Sequence, residues 1–397
     1  MLTGMKHKPF TIIIAFTLFL TGISCNTVEE PVPGSYRIDR YKSVIEGKAL
    51  AIVANQTSMV GRTHLVDTLL SIGMDIRVIF SPEHGFRNMA DAGEKIESGK
   101  DPETGISLIS LYGSHFKPTP EDLTGIDMVI FDIQDVGARF YTYISTLHYV
   151  MEACAENKVS CMILDRPNPN GYYFDGNILD TAFSSFVGMH PVPIVHGTTV
   201  GEYAHMVNGE DWLAGGIKCD LTVISCDNYS HSTYYTLPVK PSPNLPNQNS
   251  IYLYPSTCFF EGTNLSLGRG TSFPFQVYGS PLLPDRGFSF TPESVPGAKN
   301  PPLLGEICYG TDLRDAIETG LVPQAKVNLE WVIAAYNDFP DKDKFFTSYF
   351  DKLGGGTLIR EQIQQGMSAE QIRETWKPGL EKFGKIRAKY LLYQDRP

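Results

Sequence analysis

The 397-residue chain is short of positive charge: 33 Lys and Arg stand against 44 Asp and Glu, a formal net charge of −11. A protein that grips a phosphate backbone needs a basic surface, so no nucleic-acid partner is expected. Glycine-rich phosphate cradles are missing too. No strand-like run leads into G-x-G-x-x-G and no P-loop follows one, which sets aside nicotinamide and nucleoside-triphosphate chemistry. There is no G-x-S-x-G elbow for a serine hydrolase. H-E-x-x-H and C-x-x-C are both absent, so neither a metal nor a cofactor is expected. Internal repeats and low-complexity segments are lacking as well.

What is present describes an ordinary globular protein with a sizeable core, 42% hydrophobic and 19% charged. The first 25 residues stand apart. Lys6-His7-Lys8 gives a positive start, Phe10 to Leu20 an apolar stretch too short to span a bilayer, and Thr21 to Ser24 small residues before Cys25. That arrangement resembles a bacterial lipoprotein signal, which implies export, lipidation at Cys25, and a periplasmic or cell-envelope location with the lipid anchor as the only membrane contact. Residues 26–40, with Glu29, Glu30, Pro31 and Pro33, read as a tether. Six further cysteines show no metal-ligand spacing, and Cys154 and Cys161 are expected to be buried thiols.

From residue 49 the chain alternates apolar runs, polar loops and amphipathic stretches. Strands are predicted at 49–54, 76–80, 106–111, 128–133, 159–164 and 192–195, with helices at 141–157 and 200–208. This alternation predicts an α/β fold: a Rossmann-like, mostly parallel sheet flanked by helices over residues 41–240, followed by a smaller α+β subdomain over 241–397. The proline-rich stretch Lys240 to Asn247 would be the seam. In such sheets ligands bind beyond the carboxyl ends of the strands. Those ends carry Asn55, Glu83 with His84, Tyr112, Gln134 with Asp135, Asp165 with Arg166, and His196. Loops that merely reverse the chain would be mostly Gly, Pro, Asn and Ser. A site is therefore read here, with Glu83, between Pro82 and the turn at Gly85, as its acid or base.

The second half offers another polar, glycine-bearing stretch, Glu261 to Thr271, able to face the first crevice. Arg139, Arg166 and Arg269 lie in glycine- or proline-bearing loops, where a guanidinium can hold a carboxylate through two bonds. Asn168, Asn244 and Asn264 add amides, and Tyr141 opens the helix that follows Arg139.

The motifs "NQTS", "FSPEHGFR", "DAGEK", "FDIQDVGARFYTYISTL", "LDRPNPNG", "VHGTTVGE", "PSPNLP" and "FEGTNLSLGRGT" stand in this order. They are similar to those of the NamZ-type exo-β-N-acetylmuramidases, and the resemblance covers about residues 41 to 393. It implies a Rossmann-like domain with a cleft against a second subdomain. It also implies release of terminal β-linked N-acetylmuramic acid from the non-reducing end of peptidoglycan fragments, with muramyl saccharides as partners. The family's catalytic glutamate falls on Glu83, read as general acid/base with His84 and Asp165 beside it. The second carboxylate stays open among Asp135, Asp165 and Glu261. Arg139, Arg166 or Arg269 would meet the lactyl carboxylate. Asn55, Gln134, Asn168, His196, Asn244 and Asn264 would line the sugar site. Two rivals remain at this stage: a muropeptide-binding protein without catalysis, and a carbohydrate esterase or amidase using Asp165 and His196.

Overall fold

The computed structural model describes residues 29–83, 85–87, 98–317 and 325–395, with positions 1 and 4. His84 and Cys25 lie outside the described residues. Among the described residues, nine strands occur in the first 224 positions: β1 (Ala49–Ala54), β2 (Met59–Val60), β3 (Thr63–His64), β4 (Asp75–Ser81), β5 (Gly99–Lys100), β6 (Ser107–Ser110), β7 (Met128–Asp132), β8 (Ser160–Leu164) and β9 (Leu221–Ile224). All but the small β2–β3 hairpin join one seven-stranded sheet, ordered β5-β6-β4-β1-β7-β8-β9. Every pairing is parallel except that of the edge strand β5 with β6. The helices of this half are α1 (Ile38–Ile45), α2 (Leu65–Ser71), α3 (Tyr143–Asn157) and α4 (Val200–Gly209).

The apolar runs become central strands because both their faces are covered. Along β1, Ala51 and Val53 join the core shared with α3 and α4, while Leu50, Ile52 and Ala54 join the core shared with α1 and α2. In β7, Val129 and Phe131 take the first side, and Met128 and Ile130 the second. This is the two-residue alternation of a strand applied to a sheet with helices on both faces. Burying each such side chain is worth about 1.5–3 kcal/mol, so a register slip by one residue would misplace many of them at once.

From β1 the chain steps outward through β4 to β6, then returns and steps the other way through β7, β8 and β9. The strand order thus reverses beside β1. Beyond the carboxyl ends of the strands at such a point the flanking loops diverge and leave a crevice.

The second half adds α5 (Gln248–Thr257), a small antiparallel sheet of β10 (Val277–Ser280), β11 (Ser289–Phe290) and β12 (Cys308–Asp312), and helices α6 (Glu330–Asp338), α7 (Ser348–Gly354), α8 (Leu358–Gln364) and α9 (Ala369–Arg387). Phe259, Phe260, Phe350 and Trp376 from this half belong to the same core as Phe131 and Leu147. Pro31–Pro397 is accordingly one compact unit. Cys154, Cys161, Cys219, Cys226, Cys258 and Cys308 are all buried free thiols.

Two sequence expectations change. The 192–195 run is not a strand of the sheet, because Pro191 and Pro193 remove two ladder donors. Val195 instead bridges Ala138 and Asp175. The outer position on that side belongs to β9, whose Leu-Thr-Val-Ile had no clear signal. The fold also begins inside the expected tether: Val32 pairs with Asp227, and Gly34 donates to the Asp165 carbonyl at 2.8 Å. Gly34 has to be glycine there, since a Cβ would stand 2.1 Å from the Ile224 carbonyl oxygen.

Candidate active site

The crevice holds a cleft lined by residues from both halves of the chain. On the wall formed by the large sheet, Pro82 ends β4 and Glu83 follows, half-buried. Thr142, the residue before α3, donates its hydroxyl to Glu83 Oε2 at 3.2 Å. Tyr112, at the end of the neighbouring strand β6, hydrogen-bonds the same carboxylate. Burial and then the Glu83 charge raise the Tyr112 phenol well above its ordinary value, so it acts as a donor. Glu83 is thus held by hydroxyls from two separate elements.

The opposite wall comes from the second half of the chain. Glu261 lies in the turn after α5, and Arg269 grips its Oε1 through Nε at 3.0 Å and Nη2 at 2.5 Å. The guanidinium also lies 5.1 Å from the centre of the Phe275 ring. Phe275 holds a φ of +61°, a costly conformation for an aromatic residue, fixed by its bond to the Leu267 carbonyl and by Thr257. Tyr349, on α7, feels both carboxylates: burial, then Glu261 and more weakly Glu83, push its phenol up. The floor is made by Tyr141 and Tyr143, which donate to the Pro241 carbonyl at 2.9 and 3.4 Å and tie the proline-rich seam to the cleft. Asn244 in that seam also lines the cleft, its amide anchored on the Gly297 carbonyl at 2.9 Å.

Of the expected site residues, Glu83, Tyr141, Asn244, Glu261 and Arg269 therefore share one cleft. The other expected residues among those described do not line it. Arg166 is buried and forms a two-point pair with Asp132 at 2.6 and 2.9 Å, with further bonds to Ser35 and Met59. Arg139 is fully buried and serves three carbonyls, of Asn177, Val192 and Leu353. With no carboxylate beside it, burial lowers its pKa to about 9. Gln134 donates to the Asp135 and Pro167 carbonyls, Asn168 to the Thr198 carbonyl, and Asn55 caps Thr57. Asp135 accepts from the Gly137 amide, and His196 Nδ1 bonds Thr198, the two side chains lying 3.7 Å apart. Asn264 is exposed on another face, bonded to the Lys344 carbonyl.

Asp165 is the largest correction. It accepts from the Thr199 hydroxyl at 2.7 Å, the Gly201 amide at 2.7 Å and the Tyr393 hydroxyl at 2.5 Å, fastening α4 and the C-terminal segment to the sheet. It is fully buried and makes no pair with His196, so the esterase arrangement is not assembled. Burial outweighs those donors and pushes the carboxyl up to about 6. The folded state then holds this proton through a window, roughly pH 4 to 6, where the unfolded chain has lost it. Its stabilising contribution is therefore complete below about pH 4 and falls as pH rises through about 6. In urea melts, the midpoint difference between wild type and Asp165→Asn should shrink between pH 4 and pH 7. A difference that stays constant with pH contradicts this.

Sequence reasoning missed Thr142, Tyr349 and Phe186, all of which line the cleft. Thr142 stood inside a quoted motif and could have been singled out. Tyr349 sits in a helical stretch indistinguishable from core, and nothing marks it before the halves are docked.

Two carboxylates, a cation and a collar of aromatic rings in one groove are the working parts of a glycoside hydrolase. Comparison with known proteins narrows the class. Residues 50–249 match the family described as exo-β-N-acetylmuramidase NamZ, N-terminal, and residues 252–393 its C-terminal counterpart. The peptidoglycan β-N-acetylmuramidase NamZ of Bacillus subtilis is 39% identical over 376 residues, covering 89% of each chain. A DUF1343-family protein of Bacteroides fragilis superposes with a TM-score of 0.86 at 47% identity, covering 93% of this chain and all of that one. A second protein of that family and organism gives 0.76 at 27% identity, covering 92% and 99%. The chain belongs to the NamZ family of glycoside hydrolases.

Proposed function

We propose that this protein hydrolyses the glycosidic bond of terminal β-linked N-acetylmuramic acid at the non-reducing end of peptidoglycan fragments. The observation that carries this reading is the pairing, across one cleft, of a hydroxyl-held glutamate with an arginine. Glu83 serves as the general acid that protonates the leaving oxygen, with Thr142 and Tyr112 fixing the carboxyl group in place. Of the three carboxylates considered for the second role, Glu261 alone lines the cleft, and it takes that role. Arg269, of the three arginines the one that lines the cleft, meets the lactyl carboxylate that distinguishes muramic acid from glucosamine. The site is compact and lies between two walls, which suits removal of one terminal sugar at a time.

The test is product analysis. Peptidoglycan glycan fragments should yield free N-acetylmuramic acid from the first time points, with chains shortening from the non-reducing end. Release of internal oligosaccharides contradicts the exo action. Saturable binding without turnover would make this a muropeptide-binding protein instead.

A further inference from the structure

Four aromatic rings pack together outside the main core, Tyr112, Phe116, Tyr149 and Phe186, and two of them, Tyr112 and Phe186, line the cleft. Each is half-buried. Phe186 lies nearly parallel to Tyr149, with an interplanar angle of 15°, and 4.3 Å from the centre of Phe116. Tyr112 meets Phe116 edge-on at 6.1 Å. Phe186 and Val187 form the tip of a tight turn, in which Ser185 and Gly188 exchange both backbone bonds at 2.8 and 3.0 Å. A turn tip ordinarily carries small polar residues, because it faces water. Here it carries a phenylalanine and a valine, and both line the cleft.

Position gives this ledge a use. Tyr112 belongs both to the ledge and to the hydrogen-bonded setting of Glu83. Glu83 would protonate the oxygen between the two sugars, and with the terminal sugar toward Arg269 the leaving sugar falls on the Tyr112 side of the carboxylate. Arg269, on the other wall, marks the place of the terminal sugar. Aromatic faces present a broad apolar surface that suits the C–H face of a pyranose.

We propose that Phe186, braced by Phe116 and Tyr149, is the platform for the leaving-group sugar, a 2-acetamido pyranose, and gives the enzyme its preference for a sugar aglycone. The inference rests on the muramidase reading above. Phe186 binds; it takes no part in proton transfer.

The experiment compares two β-N-acetylmuraminides, the natural disaccharide with N-acetylglucosamine and the 2,2,2-trifluoroethyl glycoside, whose aglycone is activated but has no ring. In Phe186→Ala, kcat/KM for the disaccharide should fall about tenfold further than kcat/KM for the trifluoroethyl glycoside, mostly through KM. Phe186→Tyr, which keeps the ring, should restore most of the difference. Damage passed through Tyr112 to Glu83 would instead lower kcat, most on the disaccharide, whereas loss of the platform raises KM for the disaccharide and leaves kcat nearly unchanged. Equal losses on the two glycosides, or no loss on either, overturn the platform while leaving the muramidase reading intact. Failure of the wild type to cleave either compound contradicts that reading itself, and the platform falls with it.

Discussion

Replacing Glu83 by Gln should lower turnover of a β-N-acetylmuraminide by at least about 100-fold while leaving the melting temperature within a few degrees of wild type. General acid catalysis contributes about 10²–10⁴ to rate, and an amide cannot deliver the proton. The substitution is nearly isosteric, and the Thr142 hydroxyl can still donate to the amide oxygen. Glu83 also sits just past the end of β4, beyond the part of the strand that packs in the core. A chemically activated aglycone needs less protonation to depart. The Glu83→Gln defect should therefore be smaller for a good leaving group such as 4-nitrophenol than for the natural sugar. Equal defects on both, or near-normal activity in the folded variant, remove Glu83 from the acid role.

Arg269→Gln should collapse the selectivity for muramic acid. The lactyl carboxylate is the group that N-acetylglucosamine lacks, and a bidentate guanidinium contact with it is worth about 2–4 kcal/mol in differential binding. The ratio of kcat/KM for N-acetylmuramyl over N-acetylglucosaminyl glycosides of the same aglycone should drop on the order of 30–1000-fold. Arg269 also pairs with Glu261, so the variant leaves that carboxylate without its partner and slows both substrates. That shared loss cancels in the ratio, which is why selectivity, and not rate alone, is the informative quantity. Arg269→Lys should be intermediate, since an ammonium keeps the charge but cannot form the planar two-point contact. An unchanged ratio in Arg269→Gln would place the carboxylate elsewhere.

The sheet was legible because its central strands are continuous apolar runs: β1, β4, β7 and β8 fall within a residue or two of where periodicity puts them. β9 was not, because Leu221-Thr222-Val223-Ile224 is only four residues long and gives periodicity little to work on. The run at 192–195 failed for the opposite reason: it is apolar enough, but its prolines cannot join a ladder. The crevice at the carboxyl ends followed from the parallel topology, and Glu83 lies in it. Most of the other polar loop tips turned to one another instead. A cluster of loops packed over the end of a buried sheet must satisfy its own carbonyls, amides and charges. Asp132 with Arg166, Asp165 with Thr199 and Tyr393, and Arg139 with three carbonyls are that internal satisfaction. In one dimension a side chain serving a loop looks the same as one serving a ligand. The far wall was legible only in part, since Glu261 and Arg269 carried a motif and Tyr349 none.

The central claim is that one sugar lies between Glu83 and Arg269. A crystal structure of Glu83→Gln soaked with the N-acetylmuramyl–N-acetylglucosamine disaccharide tests it most directly. The glycosidic oxygen should lie within hydrogen-bond reach of the residue-83 side chain, about 2.6–3.2 Å, with the lactyl carboxylate on the Arg269 guanidinium. A disaccharide bound with its glycosidic oxygen away from residue 83, or with its carboxylate turned from Arg269, would contradict the account.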